Sequence, residues 1–384
     1  MKQIHSSTKD KVNGKRIREA RIARGYSAID LAKSLDVSQQ MISKYENNES
    51  DPSAETLNKL IDELKFPLSF YLRGDLSVPN SRGPVFFRSL SKTRSTTREL
   101  IKNRLEWSYE SYDFIKNFVN VPSLNLPYFE SLSGKVEYSM DDIEDAADEL
   151  RAYWQLGTGP IDNLALLLEK NGFVISYFES DDMNADACSQ PIGENHFIVI
   201  NREQSSAARE RFDLAHELGH RVLHSDIDQE NISDVDELKR IEKEAHRFAA
   251  AFLMPRNAFG REVMSTSINH FLLLKKRWKV SISAMVFRCS DLHIFSDDQV
   301  LNIRKQLSFK KWTKNEPLDD TMVPEKPYLL NQAFNIITSN NVKSISDISD
   351  HFCWSKKDIE NVFCLKLGSL SQSTNIVQFR TSLK

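Results

Sequence analysis

The segment that most constrains this chain is Phe212–His220, which reads FDLAHELGH. His216 and His220 are four residues apart, so on a helix both imidazoles project from one face and can bind one metal ion. Glu217 follows the first histidine, where its carboxylate can take a proton from the attacking water and pass it to the leaving amine of a peptide. The chain has only nine histidines, so this spacing favours a zinc site over a merely polar helix face.

A catalytic zinc site needs a third protein ligand, and the sequence offers several candidates. His224 lies eight residues after the first histidine, about 12 Å along a straight helix, so the two cannot contact one ion. Asp226 is a weak second choice, because a leucine stands where a glycine would usually reverse the chain. On the next predicted helix, Glu244 borders the apolar stripe, whereas Glu242 is less well placed. We therefore expect Glu244 to be the third ligand rather than part of a surface ion pair.

The N-terminal residues have the pattern of a DNA-binding helix-turn-helix. Ser27 and Ser38 are positioned to cap the second and third helices of a compact helical unit. Residues 1–48 contain ten Lys or Arg against five Asp or Glu, although the whole chain has a net charge of −3. A basic head on an acidic body favours DNA as the partner of this unit over another protein.

The predicted third helix would enter the major groove with its N-terminal part. Gln39 and Gln40 have amides that can pair with adenine, and Ser43 is short enough for a close contact. The predicted phosphate contacts, which fix the register without reading bases, are Lys15, Arg16, Arg18 and Lys44. Because operators of such units are commonly two-fold, we expect a homodimer on a double-stranded DNA operator.

With 384 residues, the chain is expected to form more than one domain. The predicted fold class is α+β: an all-α, five-helix head, then a mostly helical zincin-like domain with a small sheet, and a helical C-terminal region. Strands are predicted at 173–178 and 197–200, and long helices at about 204–224 and 235–253. The predicted parts are residues 1–72 (head), 73–95 (linker), 96–157 (helical connection), 158–315 (metallopeptidase-like domain) and 316–384 (helical C-terminal region, expected to pack rather than to read DNA).

Composition excludes several classes of protein. The apolar runs are too short for a membrane span, and the N-terminus lacks the apolar core of a secretory signal. The four cysteines are scattered without a CxxC pair, which fits a reducing compartment. The expected location is therefore the cytoplasm, with no membrane partner. Cys188, just before the second predicted strand, is interpreted as a buried thiol rather than an inhibitory metal ligand.

The motif HELGH, followed by EAHRFAAAFLMP, resembles the ImmA/IrrE family of metallo-endopeptidases over roughly residues 160–290. The resemblance implies Zn²⁺ as the cofactor and Glu217 as the general base. It also implies that the metal ligands are His216, His220 and Glu244. His246 stands where the family usually has asparagine, but it faces a different side of its helix from Glu244.

The head resembles the XRE family of helix-turn-helix regulators, and its segment YENNESDPSAETL is close to the pattern of that family. Ala28 departs from it, because the family often has glutamine there, and one phosphate contact is expected to be missing. Relatives of the peptidase family cleave XRE-type repressors. The leading hypothesis is therefore an operator-binding regulator that cleaves a repressor protein, or its own linker near 73–95.

Two other functions fit the same sequence. In the first, the chain is a non-enzymatic one-component regulator or antitoxin whose zincin-like domain senses a ligand or partner. In the second, it is a peptidase whose head only docks onto a repressor. An intact Glu217 argues against a purely structural zinc site, and sequence-dependent DNA binding with a steep salt dependence would exclude the second alternative.

Overall fold

A computed structural model describes residues 11–371, except 76–77, 80–84, 86–92, 136, 183–185, 203–205, 226, 228–231, 233 and 314. Within these residues, α-helices surround a single three-stranded sheet. The predicted α+β class, with a helical head and a mostly helical body, is confirmed. No helix in the described part of the chain is long and apolar enough to cross a membrane.

Five helices form the head: α1 (Gly14–Ala23), α2 (Ala28–Leu35), α3 (Gln39–Glu46), α4 (Ala54–Leu64) and α5 (Leu68–Leu72). As predicted, the side chains of Ser27 and Ser38 cap α2 and α3 by accepting backbone N–H groups. α1 and α3 approach closely at Gly14, where an added Cβ would lie 2.1 Å from the carbonyl oxygen of Tyr45. A glycine is therefore required at this contact.

The long helix α6 (Ser95–Ile115) joins the head to the body. The Trp107 indole on α6 donates a hydrogen bond of 2.6 Å to Glu19 of α1. The first residues of the predicted linker are also held in place, since Arg73 donates to the carbonyl oxygen of Phe352 at 2.6 Å. The apolar core of the head is continuous with residues of α6 and of the C-terminal region.

The sheet contains β1 (Phe173–Phe178), β2 (Ala187–Ile192) and β3 (Asn195–Asn201), in the order β1-β3-β2. β3 is parallel to β1 and antiparallel to β2. The two predicted strands correspond to β1 and β3. The prediction missed β2, whose segment Ser189-Gln190-Pro191 interrupts the apolar pattern. Proline is tolerated there because β2 is an edge strand.

The remaining helices lie before and after the sheet in the chain. Between α6 and β1 lie the short 3₁₀ helix Glu130–Leu132, α7 (Met140–Tyr153) and α8 (Leu164–Lys170). After the sheet come α9 (Ala207–Leu223), α10 (Val235–Leu253), α11 (Arg256–Glu262), α12 (Ile268–Trp278), α13 (Ile282–Asp291) and α14 (Asp297–Phe309). The C-terminal helices are α15 (Leu329–Ser339), α16 (Ile345–Phe352) and α17 (Lys356–Val362).

The C-terminal helices α15–α17 contribute to the same core as the head. Phe334, Phe352 and Ile359 are buried in the apolar cluster that also contains Trp107 of α6. The Trp354 ring stacks on Trp107 with the ring centroids 4.5 Å apart. These contacts agree with the packing role expected for this region.

Candidate metal centre and DNA interface

The HELGH segment lies on α9 and packs directly against α10. At Gly219, an added Cβ would meet the Ala245 carbonyl oxygen at 3.0 Å and the Ala245 Cα at 3.2 Å. The absence of a side chain at Gly219 therefore lets the two backbones approach closely. This close crossing brings polar side chains of α10 within reach of the histidines of α9.

Two imidazoles and one carboxylate converge beside this crossing. The Nε2 atoms of His216 and His220 lie 3.1 Å apart. The Glu242 carboxylate is 3.3 Å from His216 Nε2 and 3.2 Å from His220 Nε2. The three ligand atoms all lie within 4.8 Å of one another. Imidazole nitrogen and carboxylate oxygen are ligand types that zinc accepts in three-ligand sites, so the donor set fits this metal.

Glu244, the expected third ligand, does not join this group, and the expectation is corrected. Its Oε2 atom lies 3.0 Å from His224 Nε2, and its Oε1 atom accepts a hydrogen bond of 2.9 Å from Arg240. Residues two apart on a helix project to different sides. At this crossing, the side of α10 that carries Glu242 faces the imidazoles of His216 and His220. Asp226, the weaker alternative, lies outside the described residues.

His224 lies between His220 and Glu244 and contacts both side chains. Its Nδ1 atom lies 3.1 Å from Nδ1 of His220. A neutral imidazole offers one donor and one acceptor. If His224 donates from Nε2 to Glu244, its Nδ1 can accept the Nδ1 proton of His220. His220 then presents the lone pair of Nε2 to a metal. Fixing the tautomer of a metal-binding histidine in this way is the usual role of an outer partner, a residue that hydrogen-bonds the ligand but does not bind the metal.

Burial and charge act in opposite directions on these side chains. Burial lowers the pKa of His224 to about 4. Burial would raise the pKa of Glu242, but the imidazoles of His220 and His216 outweigh it and hold that pKa below its usual value. Glu242 is therefore an ionised carboxylate, which is the form that binds a metal.

The proposed general base, Glu217, is held by the edge strand. It is only 2 % exposed, and its Oε2 atom accepts a hydrogen bond of 2.5 Å from the hydroxyl of Ser189 on β2. This bond fixes the carboxylate against the sheet while leaving it lone pairs for a proton. Cys188, the preceding residue, is buried, and burial raises the pKa of its thiol well above the usual value, which supports its interpretation as a neutral thiol.

On the head, the predicted base-reading residues and the predicted phosphate contact Lys44 share one exposed face of α3. Gln39, Gln40, Ser43 and Lys44 are all exposed, whereas Ile42 and Tyr45 of the same helix are buried in the core of the head. The helix thus divides into a face that holds the fold and a polar face open to a partner. This division is what insertion into a major groove requires.

The basic residues of α1 are less available than predicted. Arg16 is 2 % exposed, and its guanidinium binds the Gly74 carbonyl oxygen and, at 2.6 Å, Glu19. The prediction of a phosphate contact is therefore corrected for Arg16, which holds the head together. Lys15 is exposed but paired with Asp75, and Arg18 forms an ion pair of 2.9 Å with Glu99 of α6.

Comparison with known families finds two separate matches. Residues 17–71 match the family model described as Helix-turn-helix, and residues 168–290 match the model of peptidase family M78 described as IrrE N-terminal-like domain. No curated protein matches the chain. The predicted XRE-type helix-turn-helix and ImmA/IrrE-like domain are confirmed in that order. The chain thus combines the helix-turn-helix of a DNA-binding regulator with an IrrE-like domain, and M78 peptidases are generally zinc-dependent.

The sequence interpretation set Glu242 aside in favour of Glu244 and did not name Ser189. Glu242 carried a usable signal, because it lies three residues before Ala245 and seven before Ala249, spacings that share a helix face. Ser189 carried none, since a lone serine in a segment not recognised as a strand has no distinguishing pattern. Its role depends on β2 lying beside α9.

Proposed function

We propose that this chain is a DNA-binding transcriptional regulator whose IrrE-like domain is a zinc-dependent endopeptidase. The observation that carries the peptidase half is the convergence of His216, His220 and Glu242 on one point. Three protein ligands leave a zinc coordination position for water or substrate, whereas a purely structural zinc site usually has four. We infer that Glu242, not Glu244, is the third ligand.

Bound zinc would act as a Lewis acid toward the scissile carbonyl and lower the pKa of a water toward neutrality. Proton transfer and the orientation of the reacting groups are assigned to residues of the chain. Glu217 accepts a proton from the attacking water and delivers it to the nitrogen of the leaving amine. Ser189 keeps the Glu217 carboxylate oriented through its hydrogen bond. His224 and Glu244 keep His220 in the tautomer that presents Nε2.

The proposed partner of the head is a double-stranded DNA operator, contacted by the exposed face of α3. Gln39 and Gln40 would pair with base edges, Ser43 would make a close contact and Lys44 would bind phosphate. Lys15 and Arg18 remain candidate phosphate contacts, although each has an acidic neighbour. A homodimer on a two-fold operator remains the expected assembly.

The proposed substrate is a repressor protein of the XRE type or the chain's own residues near 73–95. Cleavage of either would convert proteolysis into a change in transcription. Arg73 is held by the carbonyl oxygen of Phe352 and by Glu110, so self-cleavage is expected beyond this anchored start of the segment.

The test compares zinc-loaded wild-type protein with Glu217→Gln. Candidate repressors from neighbouring genes and the chain itself serve as substrates, and the products are followed by mass spectrometry. The substitution should reduce cleavage by about 10²–10⁴-fold, the usual contribution of a general base, while zinc content and DNA binding stay unchanged. Asp236→Asn, at an exposed position of α10, is the matched control and should cleave normally. A zinc chelator should stop cleavage by the wild type.

The non-enzymatic alternative has one observation in its favour. His216 and His220 are only 4 % and 2 % exposed, and an enclosed metal group suits a structural or sensing role. Under this alternative, Glu217→Gln would leave regulation of a reporter gene intact, whereas Gln39→Ala with Gln40→Ala would abolish it. The absence of cleavage of any substrate under inducing conditions would contradict the peptidase proposal without affecting the DNA-binding one.

A further inference from the structure

A cavity lies where the head meets the body, and its lining contains none of His216, His220 and Glu242. Its volume is about 610 Å³, within the roughly 300–1,000 Å³ range of small-molecule sites. The head contributes the end of α1, Gly25 and Lys65. The body contributes the first turn of α6, the chain that follows β1, and α17.

The wall of this cavity carries an excess of positive charge. Its charged residues are the cations Arg24, Lys65, Arg94, Arg104 and Lys357 and the acids Glu179, Asp181 and Asp358. Cations therefore outnumber carboxylates, and a cavity lined in this way concentrates anions.

Each carboxylate of the wall is already neutralised by a neighbouring cation. Asp358 lies 2.8 Å from Arg24 and 3.1 Å from Arg104. Glu179 is paired with Lys357 at 2.5 Å, and Asp181 with Arg94 at 3.4 Å. The surplus of positive charge consequently has no counterpart within the cavity.

Lys65 and Arg104 supply the surplus charge of the wall, because Arg104 shares Asp358 with Arg24. Lys65 is exposed and forms no ion pair with the described residues. Arg104 is 6 % exposed, and its Nη2 atom donates to Asp358 and to the Ala23 carbonyl oxygen. Its Nε and Nη1 atoms have no hydrogen-bond partner among the described residues, although the guanidinium also lies over the Trp107 ring. These two nitrogens are buried from solvent, so Arg104 adds to the positive charge of the wall without presenting them to a ligand.

The N-terminus of α6 adds donors to the same wall. This helix has 21 residues, and its N-terminus has no side-chain cap. Thr96 and Thr97 of its first turn line the cavity. The helix dipole at this terminus favours an anion, and the Asp182 carboxylate already accepts the backbone N–H of Arg94 there at 3.0 Å.

We propose that this cavity binds a small molecule carrying a phosphate monoester and serves as an effector site between the DNA-binding head and the body. Phosphate matches the surplus charge, the exposed side chains of Lys65 and Arg94 and the hydroxyl groups of the α6 terminus. Because the head and the body both contribute to the wall, a bound ligand bridges them. The proposal is independent of the peptidase activity.

The test is isothermal titration calorimetry of the zinc-loaded full chain with inorganic phosphate and, separately, with adenosine 5′-monophosphate. Saturable binding at one site per chain is expected. The double variant Lys65→Glu with Arg94→Glu should weaken it at least tenfold. Both side chains are exposed, so the variant should fold, which its thermal unfolding midpoint checks.

One single variant serves as the control. Lys305→Glu reverses a charge at an exposed position of α14 and should bind the probes normally. Tighter binding of the nucleotide than of phosphate would assign the site to an organic phosphomonoester, and equal binding would assign it to phosphate itself. The proposal is overturned if neither probe saturates, if the double variant binds normally, or if Lys305→Glu weakens binding as strongly.

Discussion

The two candidate sites of this chain use polar side chains in opposite ways. On α3, the side chains of Gln39 and Gln40 are exposed and form no hydrogen bond with the described residues. At the α9–α10 crossing, His216 and His220 are nearly fully buried, and the partners around them are fixed by the fold. An open polar face can be matched by a large, rigid partner such as a duplex. An enclosed one holds a small ion and orients the groups that act with it.

This contrast predicts that a substitution at one site leaves the function of the other site unchanged. Changes on α3 should alter DNA recognition without affecting metal content, and changes at the crossing should do the reverse. Removing one partner of a buried hydrogen bond also costs more free energy than removing one at the surface, because the remaining partner stays buried without a bond. The predictions that follow test this separation.

The largest effect is expected from Glu242→Ala. Removal of a residue that binds the metal directly should lower zinc affinity by more than about 100-fold. Loss of an outer partner typically lowers the affinity by about 10–100-fold. Glu244→Ala is the matched variant two residues away and should lose about 10–100-fold. Competition titration with a chelating dye measures both. A larger loss in Glu244→Ala would contradict the assignment of Glu242 as the third ligand.

His224→Ala should lower zinc affinity by about 10–100-fold, because His220 loses the partner that orients its ring. His246→Ala is the control: that imidazole packs between the rings of Phe212 and Phe287, and its loss should leave zinc affinity unchanged. Equal zinc affinity in His224→Ala and the wild type would remove the outer-partner role assigned to His224.

Gln39→Ala and Gln40→Ala should each weaken binding to the selected operator by about 1–3 kcal/mol if the amide pairs with a base. Binding to random duplex should hardly change, since the phosphate contacts remain. The operator is first selected from a random duplex pool with the wild type, and affinities are then measured by fluorescence anisotropy. Gln306→Ala, exposed on α14, is the control. Equal losses on operator and random duplex would argue against base reading.

The smallest effect is expected from Lys44→Ala. Loss of one phosphate contact should weaken binding a few-fold on any sequence and make the slope of log affinity against log salt shallower by about 0.9. Lys305→Ala, at an exposed position of α14, should leave both the affinity and the salt slope unchanged. An unaltered salt slope in Lys44→Ala would place the phosphate contact elsewhere on the head.

Local sequence pattern was sufficient to predict several helix faces, helix caps and strands of this molecule. The spacing of His216 and His220 puts both imidazoles on one side of α9 wherever that helix lies, because helical periodicity depends only on nearby residues. Ser27 and Ser38 marked the starts of α2 and α3 for the same reason, since a cap bonds within its own first turn. The apolar runs of β1 and β3 were visible because both strands are buried on both faces.

Only the tertiary structure decided which neighbours those elements meet. Glu242 and Glu244 sit on the same helix, and the crossing at Gly219 and Ala245 determines which carboxylate reaches the imidazoles. Arg16 has the sequence character of a phosphate contact, yet the Gly74 carbonyl oxygen and Glu19 bind it inside the head. Sequence spacing fixes the direction of a side chain relative to its own helix, whereas the partner in that direction belongs to a distant segment brought close by packing.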